Sequence, residues 1–299
     1  MGQGHCVDLQ TDQDNGSGDE FAMLVRRRRS GESKGVIISL CDLTGVMVAP
    51  WVDGGYDAVL VDPQHPTGVS VEPSCSGALI VRVGAVVDSS VTWGGVRALI
   101  HGGAVVFISG FPVCTQLAVS GTARWADKRV ADPHFQAKAM ALVHECRVIG
   151  ELSGAPYFFE NPVSAISSIY RKPDHAFHPN EYGGYLPEDD CHPLYPDYFP
   201  PRDAYGKKTC LWAGGGFVMP ERRSVPFAEG QTDGQGQSKA HNKLGGKSDK
   251  TKNIRSATPR GFAMAVYLAN APHLNNNLTA APSSVDSECQ QLALIGAPP

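Results

Sequence analysis

VVFISGFPVCTQLAVSGT, residues 105–122, is an apolar run that ends in a Gly/Pro turn and places one cysteine, Cys114, immediately after it. Residues 104–109 read as a buried strand. Downstream, residues 131–150 have helical composition. Phe135, Ala139, Leu142, Val143, Cys146 and Ile149 recur there at mostly three- and four-residue spacing and give one apolar face. A second apolar run at 156–159 closes on Glu160-Asn161-Pro162. Strand, helix, strand is the pattern of a parallel crossover, and open α/β sheets place their ligands at the carboxyl ends of such strands. Two adjacent strand ends, one bearing a cysteine and the other a carboxylate, provide what nucleophilic attack on a heterocycle needs.

Upstream, residues 35–40 (GVIISL) predict another strand, followed by the turn Cys41-Asp42-Leu43-Thr44-Gly45. Residues 46–51 read as helical or irregular, and 58–61 (AVLV) as a strand ending at Asp62. This is the opening of a nucleotide-binding βαβ unit: the backbone can approach a ligand at Gly45, and an acid at the second strand end can accept from ribose hydroxyls. No GxGxxG is present, so a dinucleotide site is not indicated. Short apolar runs at 78–81 and 83–87 fix no order of elements, and 96–100 reads as a short helix.

The remaining segments organise around that core. Residues 1–34 read as a flexible N-terminal segment and 35–169 as the core. Residues 170–206, rich in Pro, Tyr, His and Asp, read as an irregular lobe, and a stretch this long without periodicity suggests a function. Residues 207–230 return to the core, 231–253 read as a flexible basic loop, 254–275 as a helix completing the core, and 276–299 as a tail with a short apolar piece at 292–295.

The 299 residues suffice for a full core, and 42% hydrophobic with 19% charged residues fits a globular protein. The net charge of −4 does not advertise a nucleic-acid binder and does not exclude one, because a local basic groove is what meets phosphates. The eight cysteines, at 6, 41, 75, 114, 146, 191, 210 and 289, contain no CxxC pair. They are expected to be reduced thiols. No signal-like segment or membrane-length apolar run is read, so a cytoplasmic location and no membrane partner are expected.

Cys114 is the candidate nucleophile, since a thiolate attacks strongly and backbone N–H groups at a helix start would depress its pKa. His134 and His144 lack the spacing of a protease-like Cys/His pair. Glu160, at the end of an aromatic strand, is expected to be partly desolvated and so able to hold or donate a proton, with Asn161-Pro162 fixing the turn after it. His175, His178, Cys191 and His192 could be weighed as a zinc set. The adjacent Cys191-His192 pair is awkward for one tetrahedral centre, and no metal is expected.

With these residues in hand, Gly110-Phe111-Pro112-Val113-Cys114-Thr115 resembles the Pro-Cys catalytic loop of the C5-cytosine DNA methyltransferases, and Phe159-Glu160-Asn161-Pro162 their Glu-Asn-Val motif. Residues 38–45 and 59–62 resemble their S-adenosylmethionine motifs, in the same order. ISGFPVCTQLAVSGTARW, FFENPVSAISSIYRKPD and YGKKTCLW are similar to a short group of such proteins common in bacteriophages and prophages. The similarity covers about residues 35–222 and 255–268. It implies a Rossmann-like α/β methyltransferase sheet with a small irregular recognition lobe, and a monomer or weak dimer in the cytoplasm, the host's for a phage protein.

The resemblance further implies that Cys114 adds to C6 of cytosine while Glu160 holds N3 and the exocyclic amine. Asp42, Leu43, Thr44, Gly45, Asp62 and Pro112 would bind S-adenosylmethionine. The chain departs from the family in placing Val113 between Pro112 and Cys114 and in showing no Gln-x-Arg-x-Arg motif. Arg124, Arg171 or Lys207-Lys208 would replace the missing arginines, with Arg171 assigned beside Asn161 to the catalytic set. Arg124, Lys207, Lys208, Arg222 and Arg223 are candidate contacts to DNA, duplex or single-stranded, and Tyr182, Tyr185, Tyr195 and Tyr198 could stack on bases. A free pyrimidine nucleotide, RNA, a modified base, or a non-catalytic DNA-binding role are the alternatives.

Overall fold

The computed structural model describes residues 18–230, 244 and 248–272. The first element corrects the expectation of a flexible N-terminal segment. Helix α1 (Asp19–Ser30) buries Phe21, Leu24 and Val25, spaced one helical turn apart, and carries Arg27–Arg29 in its last turn, where cations favour the helix dipole. Arg27 reaches the buried Asp57 carboxylate at 3.0 Å.

Strand β1 (Val36–Leu40), helix α2 (Ala49–Asp53) and strand β2 (Asp57–Val61) form the expected opening unit, both strands buried throughout. A hairpin the sequence did not order follows, β3 (Gly68–Pro73) with β4 (Leu79–Gly84). Helix α3 (Ser90–His101), capped by Ser89, extends well beyond the short helix expected at 96–100. Strand β5 (Val105–Gly110) carries the quoted stretch into two short 3₁₀ turns. Helix α5 (Phe135–Ser153) is the helix expected over 131–150, and a further helix the sequence did not indicate, α4 (Trp125–Ala131), precedes it across Asp132-Pro133. Then come β6 (Tyr157–Pro162), the single turn α6 (Ile166–Ile169), β7 (His175–Phe177) and β8 (Thr209–Gly214). The expected basic loop ends in α7 (Asp249–Ser256), and α8 (Arg260–Asn270) is the core-completing helix. The rest of that loop, apart from Leu244, and the 276–299 tail with its 292–295 run lie outside the described residues.

The eight strands make one mixed, mostly parallel sheet in the order β3-β4-β2-β1-β5-β6-β8-β7, an arrangement compatible with a Rossmann-like fold. β4, β2, β1, β5 and β6 are parallel neighbours, while β8 runs antiparallel between β6 and β7. Both faces are covered, which explains the unbroken apolar strands. Val36, Ile38 and Leu40 of β1 pack on the α1, α3 and α5 side with Phe21, Leu99, Val143 and Ile149. Ile37 faces the other way, with Trp51, Phe107, Phe158, Phe262 and Val266 on the α2 and α8 side.

From β1 the chain builds outward through β2 to β4, then returns across the sheet to β5 on the other flank of β1. The order therefore reverses between β1 and β5, and a crevice opens at their carboxyl ends, where such sheets take ligands. Among the described residues no helix is long and apolar enough to cross a membrane.

Candidate functional site

Cys114 and Glu160 arrive from neighbouring strands. β5 and β6 pair in register from Ile108–Tyr157 to Gly110–Phe159, so the Cys114 turn leaves the sheet beside the Glu160 segment. Glu160 is not at the strand's end as expected: β6 continues through Pro162, and Glu160 sits opposite Leu211 of β8. Asn161 joins the two segments. Its buried amide donates through Nδ2 to the Pro112 carbonyl at 2.9 Å and so fixes the turn that presents Cys114. Gly110 lets α5 approach: a Cβ there would lie 3.1 Å from that of Cys146.

Glu160 lines a shallow recess whose enclosed volume is about 10 Å³, so a ligand larger than water needs its walls to part. Phe111, Phe177 and Phe262 supply aromatic walls, with Lys207, Thr209 and residues 256–259 completing the lining. Glu160 Oε1 is buried there with no hydrogen-bond partner. A carboxylate left this way is costly unless it is protonated or meets a ligand. Burial accordingly pushes the Glu160 carboxyl above its ordinary range, and the Lys207 ammonium opposes that rise.

The thiol of Cys114 contradicts its expected depression. Burial first and the Glu160 carboxylate second raise its pKa, while Lys207 and Arg255 pull it down. The three-residue 3₁₀ turn that Cys114 opens is too short to supply the field of a helix start. The cysteine is therefore protonated until the charges around it change.

Lys207 thus belongs inside the site rather than on a peripheral phosphate surface. Its ammonium donates to the Arg255 carbonyl at 3.1 Å and ties the end of α7 to the pocket. Lys208 is exposed. Arg124 is exposed at the end of a 3₁₀ turn, and Lys128 of the following helix donates to the Thr115 carbonyl beside Cys114. Arg171 is corrected. Its guanidinium is taken by Asp174 at 2.6 Å and by the Ala213 carbonyl, and Ala213 pairs with Phe158, on the side of Glu160 away from the Cys114 turn. Arg222 pairs with Glu181 at 3.4 Å, and Arg223 lies over the Tyr185 ring; neither lines the pocket.

At the crevice between β1 and β5, Asp42 shapes its own loop. It accepts from the backbone N–H groups of Thr44 and Gly45 and from the Ser39 hydroxyl. Leu43 and Thr44 are half-buried, and Gly45 takes φ +69° to close the turn. Cys41, at φ +58°, is a non-glycine residue in the left-handed region at the same loop. Asp62 caps the end of β2, accepting at Oδ1 from the Gln64 N–H at 2.8 Å. Burial raises its pKa against that bond.

The irregular lobe is packed, not open. Tyr182 is fully buried, Tyr185 donates to the Glu221 carbonyl, and Tyr195 and Tyr198 pack on Phe199, Tyr205 and Ile254. Tyr182 is thus structural, while Tyr185, Tyr195 and Tyr198 pack on the lobe and stay half-exposed. His192 is buried, accepts two backbone N–H bonds at Nδ1 and stacks on Phe199, so it leaves the weighed zinc set. Among the described residues no cluster of His, Cys, Asp or Glu could hold a metal ion. Cys41, Cys114, Cys146, Cys191 and Cys210 are free thiols, but Cys75 is disulfide-bonded, against the expectation of reduced cysteines throughout.

Sequence reasoning missed the aromatic walls, Thr209 as a lining residue and the cationic influence of Arg255. Residues 256–259, read as part of the core-completing segment, wall the pocket of Glu160. The Thr-Pro turn ahead of α8 was the available signal. No family model and no curated protein matches this chain.

Proposed function

We propose that the chain is an S-adenosylmethionine-dependent enzyme that methylates C5 of cytosine in DNA through a covalent Cys114 adduct, on a methyltransferase-type sheet. One observation carries the reading: Cys114 and Glu160 converge from adjacent parallel strands beside the sheet's reversal point, and Glu160 offers an unpartnered buried oxygen to an aromatic-walled pocket. That is a place for a flat heterocycle with a polar edge, next to a nucleophile.

The residues at the crevice fit the cofactor. Asp62, at the carboxyl end of β2, is placed to accept from ribose hydroxyls, and the Asp42-shaped loop brings backbone close to the reversal point. The cofactor would lie along residues 42–45, Asp62 and Pro112, and would supply an electrophilic methyl group.

The chain's own residues do the rest. Glu160, whose pKa burial raises, donates toward ring N3 when protonated and accepts from the exocyclic amine. Its neutralisation also removes the anion that holds Cys114 protonated. The Cys114 thiol gives its proton to solvent and its sulfur forms a bond to C6 as the C5=C6 pair moves onto C5, which becomes the nucleophile. After methylation, loss of the C5 proton re-forms the double bond and expels the thiolate. A base inside duplex DNA would have to flip to reach this pocket.

A free nucleotide, RNA or a modified base is the second reading. It is favoured by the burial of Tyr182, which takes one of the four lobe tyrosines out of reach of a polymer. A non-catalytic DNA-binding role is the remaining alternative. The test is transfer of labelled methyl from S-adenosylmethionine to duplex DNA, single-stranded DNA, RNA and dCMP, with Cys114→Ala alongside. Label in 5-methylcytosine that vanishes in the variant is expected. No label on any substrate, together with no cofactor binding, would end the enzymatic reading.

A further inference from the structure

The pocket holds a polar group that the proposed reaction does not use. Thr209 opens β8 and pairs with Pro162 of β6 and Phe177 of β7. Side chains alternate along β8: Leu211 faces the Phe158 and Phe262 side, while Cys210 and Trp212 face the other core. Thr209 therefore shares a face with Leu211 and with Glu160, which is Leu211's direct partner. Glu160 and Thr209 are diagonal cross-strand neighbours, with Cβ atoms roughly 7 Å apart in this relation. Both line the same pocket. A separation of that size lets two side chains address adjacent positions on the edge of one six-membered ring.

The direction of the hydroxyl is fixed by its partner. Thr209 is buried, and its Oγ1 donates to the Lys207 carbonyl at 3.2 Å. A hydroxyl carries one donor hydrogen and two acceptor lone pairs. With its hydrogen on Lys207, the oxygen keeps only acceptor capacity for a further partner. An incoming N–H can bond without disturbing anything; an incoming carbonyl would have to break the existing bond or face lone pair to lone pair. Sites that demand a hydrogen-bonding group reject analogues lacking it, because the buried partner is then left unpaired.

We infer that Thr209 is a specificity-determining residue of this pocket, its hydroxyl held as an acceptor for an exocyclic amine, so that the site takes 4-aminopyrimidines and disfavours 4-oxopyrimidines. The assignment rests on the proposed placement of a pyrimidine against Glu160. It goes further by giving the amino-against-oxo choice to a residue that takes no part in the chemistry.

The test is binding of fluorescent oligo-dC and oligo-dU to the full chain without cofactor, read by anisotropy, for wild type, Thr209→Val and Thr209→Ser. Homopolymers make the comparison independent of any target sequence. Wild type is expected to favour dC by about tenfold. Thr209→Val should bring the ratio near one, and Thr209→Ser, which keeps the hydroxyl, should preserve it. An oligomer of 2-pyrimidinone, which lacks the amine, supplies a second arm that needs no variant. It should bind wild type about as weakly as oligo-dU does. An unchanged ratio in Thr209→Val, a lost ratio in Thr209→Ser, or 2-pyrimidinone bound as tightly as cytosine each overturns the inference, even where methyl transfer to cytosine is intact. Equal wild-type affinity for dC and dU overturns it as well. If methyl transfer also fails on every substrate, the proposed reaction falls with it.

Discussion

Burial raises the proton affinity of both Cys114 and Glu160, the Glu160 carboxylate raises that of Cys114 further, and the Lys207 charge lowers both. In Glu160→Gln the anion beside the thiol is gone, so the Cys114 pKa should fall and alkylation by iodoacetamide should begin at lower pH. In Lys207→Met the opposing cation is gone, and the same profile should move to higher pH. The rate of Cys114 labelling against pH, with Cys114→Ala correcting for the other thiols, measures both. Movement of the two profiles in the same direction would contradict the arrangement. Asn161 acts differently, through the Pro112 carbonyl. Asn161→Ala leaves that carbonyl without its donor, for an expected loss of about 1–3 kcal/mol in unfolding free energy. Methyl transfer should fall through kcat more than through KM, since the nucleophile is displaced while the pocket walls stay.

At the scale of elements, the legible part of this chain was what burial writes into sequence locally. β1, β2, β5 and β6 are covered on both faces, so their residues read as apolar runs ended by turns, and the Cys and Glu segments follow directly from them. The pocket walls were hidden because they are assembled from afar. Phe111, Phe177, Thr209 and Phe262 come from four separate segments, and only the sheet order brings them together. The rise of the Cys114 pKa was hidden for the same reason, since it depends on neighbours and not on the turn's own composition. Helix α1 was masked by its charge: four consecutive arginines obscure the apolar triplet Phe21, Leu24, Val25. Its anchoring is nonetheless close. The Phe21 ring lies where a Cβ on Gly95 of α3 would sit, so the two helices meet without a side chain between them. Phe21→Ala should cost about 3–5 kcal/mol by chemical denaturation. A Phe21→Ala variant as stable as wild type would return α1 to the status of a loose tail.

Across the whole molecule, the irregular lobe is locked to the core through a buried polar knot. Arg260 at the start of α8 pairs with the buried Asp190, and Asp203 accepts from the Gly261 N–H, so the lobe holds the helix that walls the Glu160 pocket. Two members of the knot have strongly moved pKa values of opposite consequence. Burial pushes Asp203 up from 3.8 to about 6, and burial with the Arg260 charge pushes His192 down from 6.5 to about 4. Between those limits the folded state keeps a proton on Asp203 that the unfolded chain has lost, so this residue's contribution to stability falls as pH rises from about 4 to 6. Over nearly the same window the unfolded chain protonates His192 and the folded state does not, so its contribution falls as pH drops from 6.5 toward 4. Each effect amounts to at most about 3 kcal/mol, and they oppose, which leaves the lobe's net contribution nearly flat across the range. Substitution should expose the two halves separately. Asp203→Asn, which keeps an acceptor for Gly261, should lose stability between pH 6.5 and 4.5 relative to wild type. His192→Asn, which keeps an acceptor for the Leu194 and Tyr195 N–H groups, should lose it between pH 4.5 and 6.5. At about 2–4 °C per kcal/mol for a chain of this size, melting temperatures read at the two pH values resolve differences of this order. The slopes, and not the absolute melting points, carry the result, because either substitution also alters packing. Slopes of the two variants that coincide with wild type would mean that Asp203 and His192 keep ordinary proton affinities, and that the knot holds α8 by geometry alone.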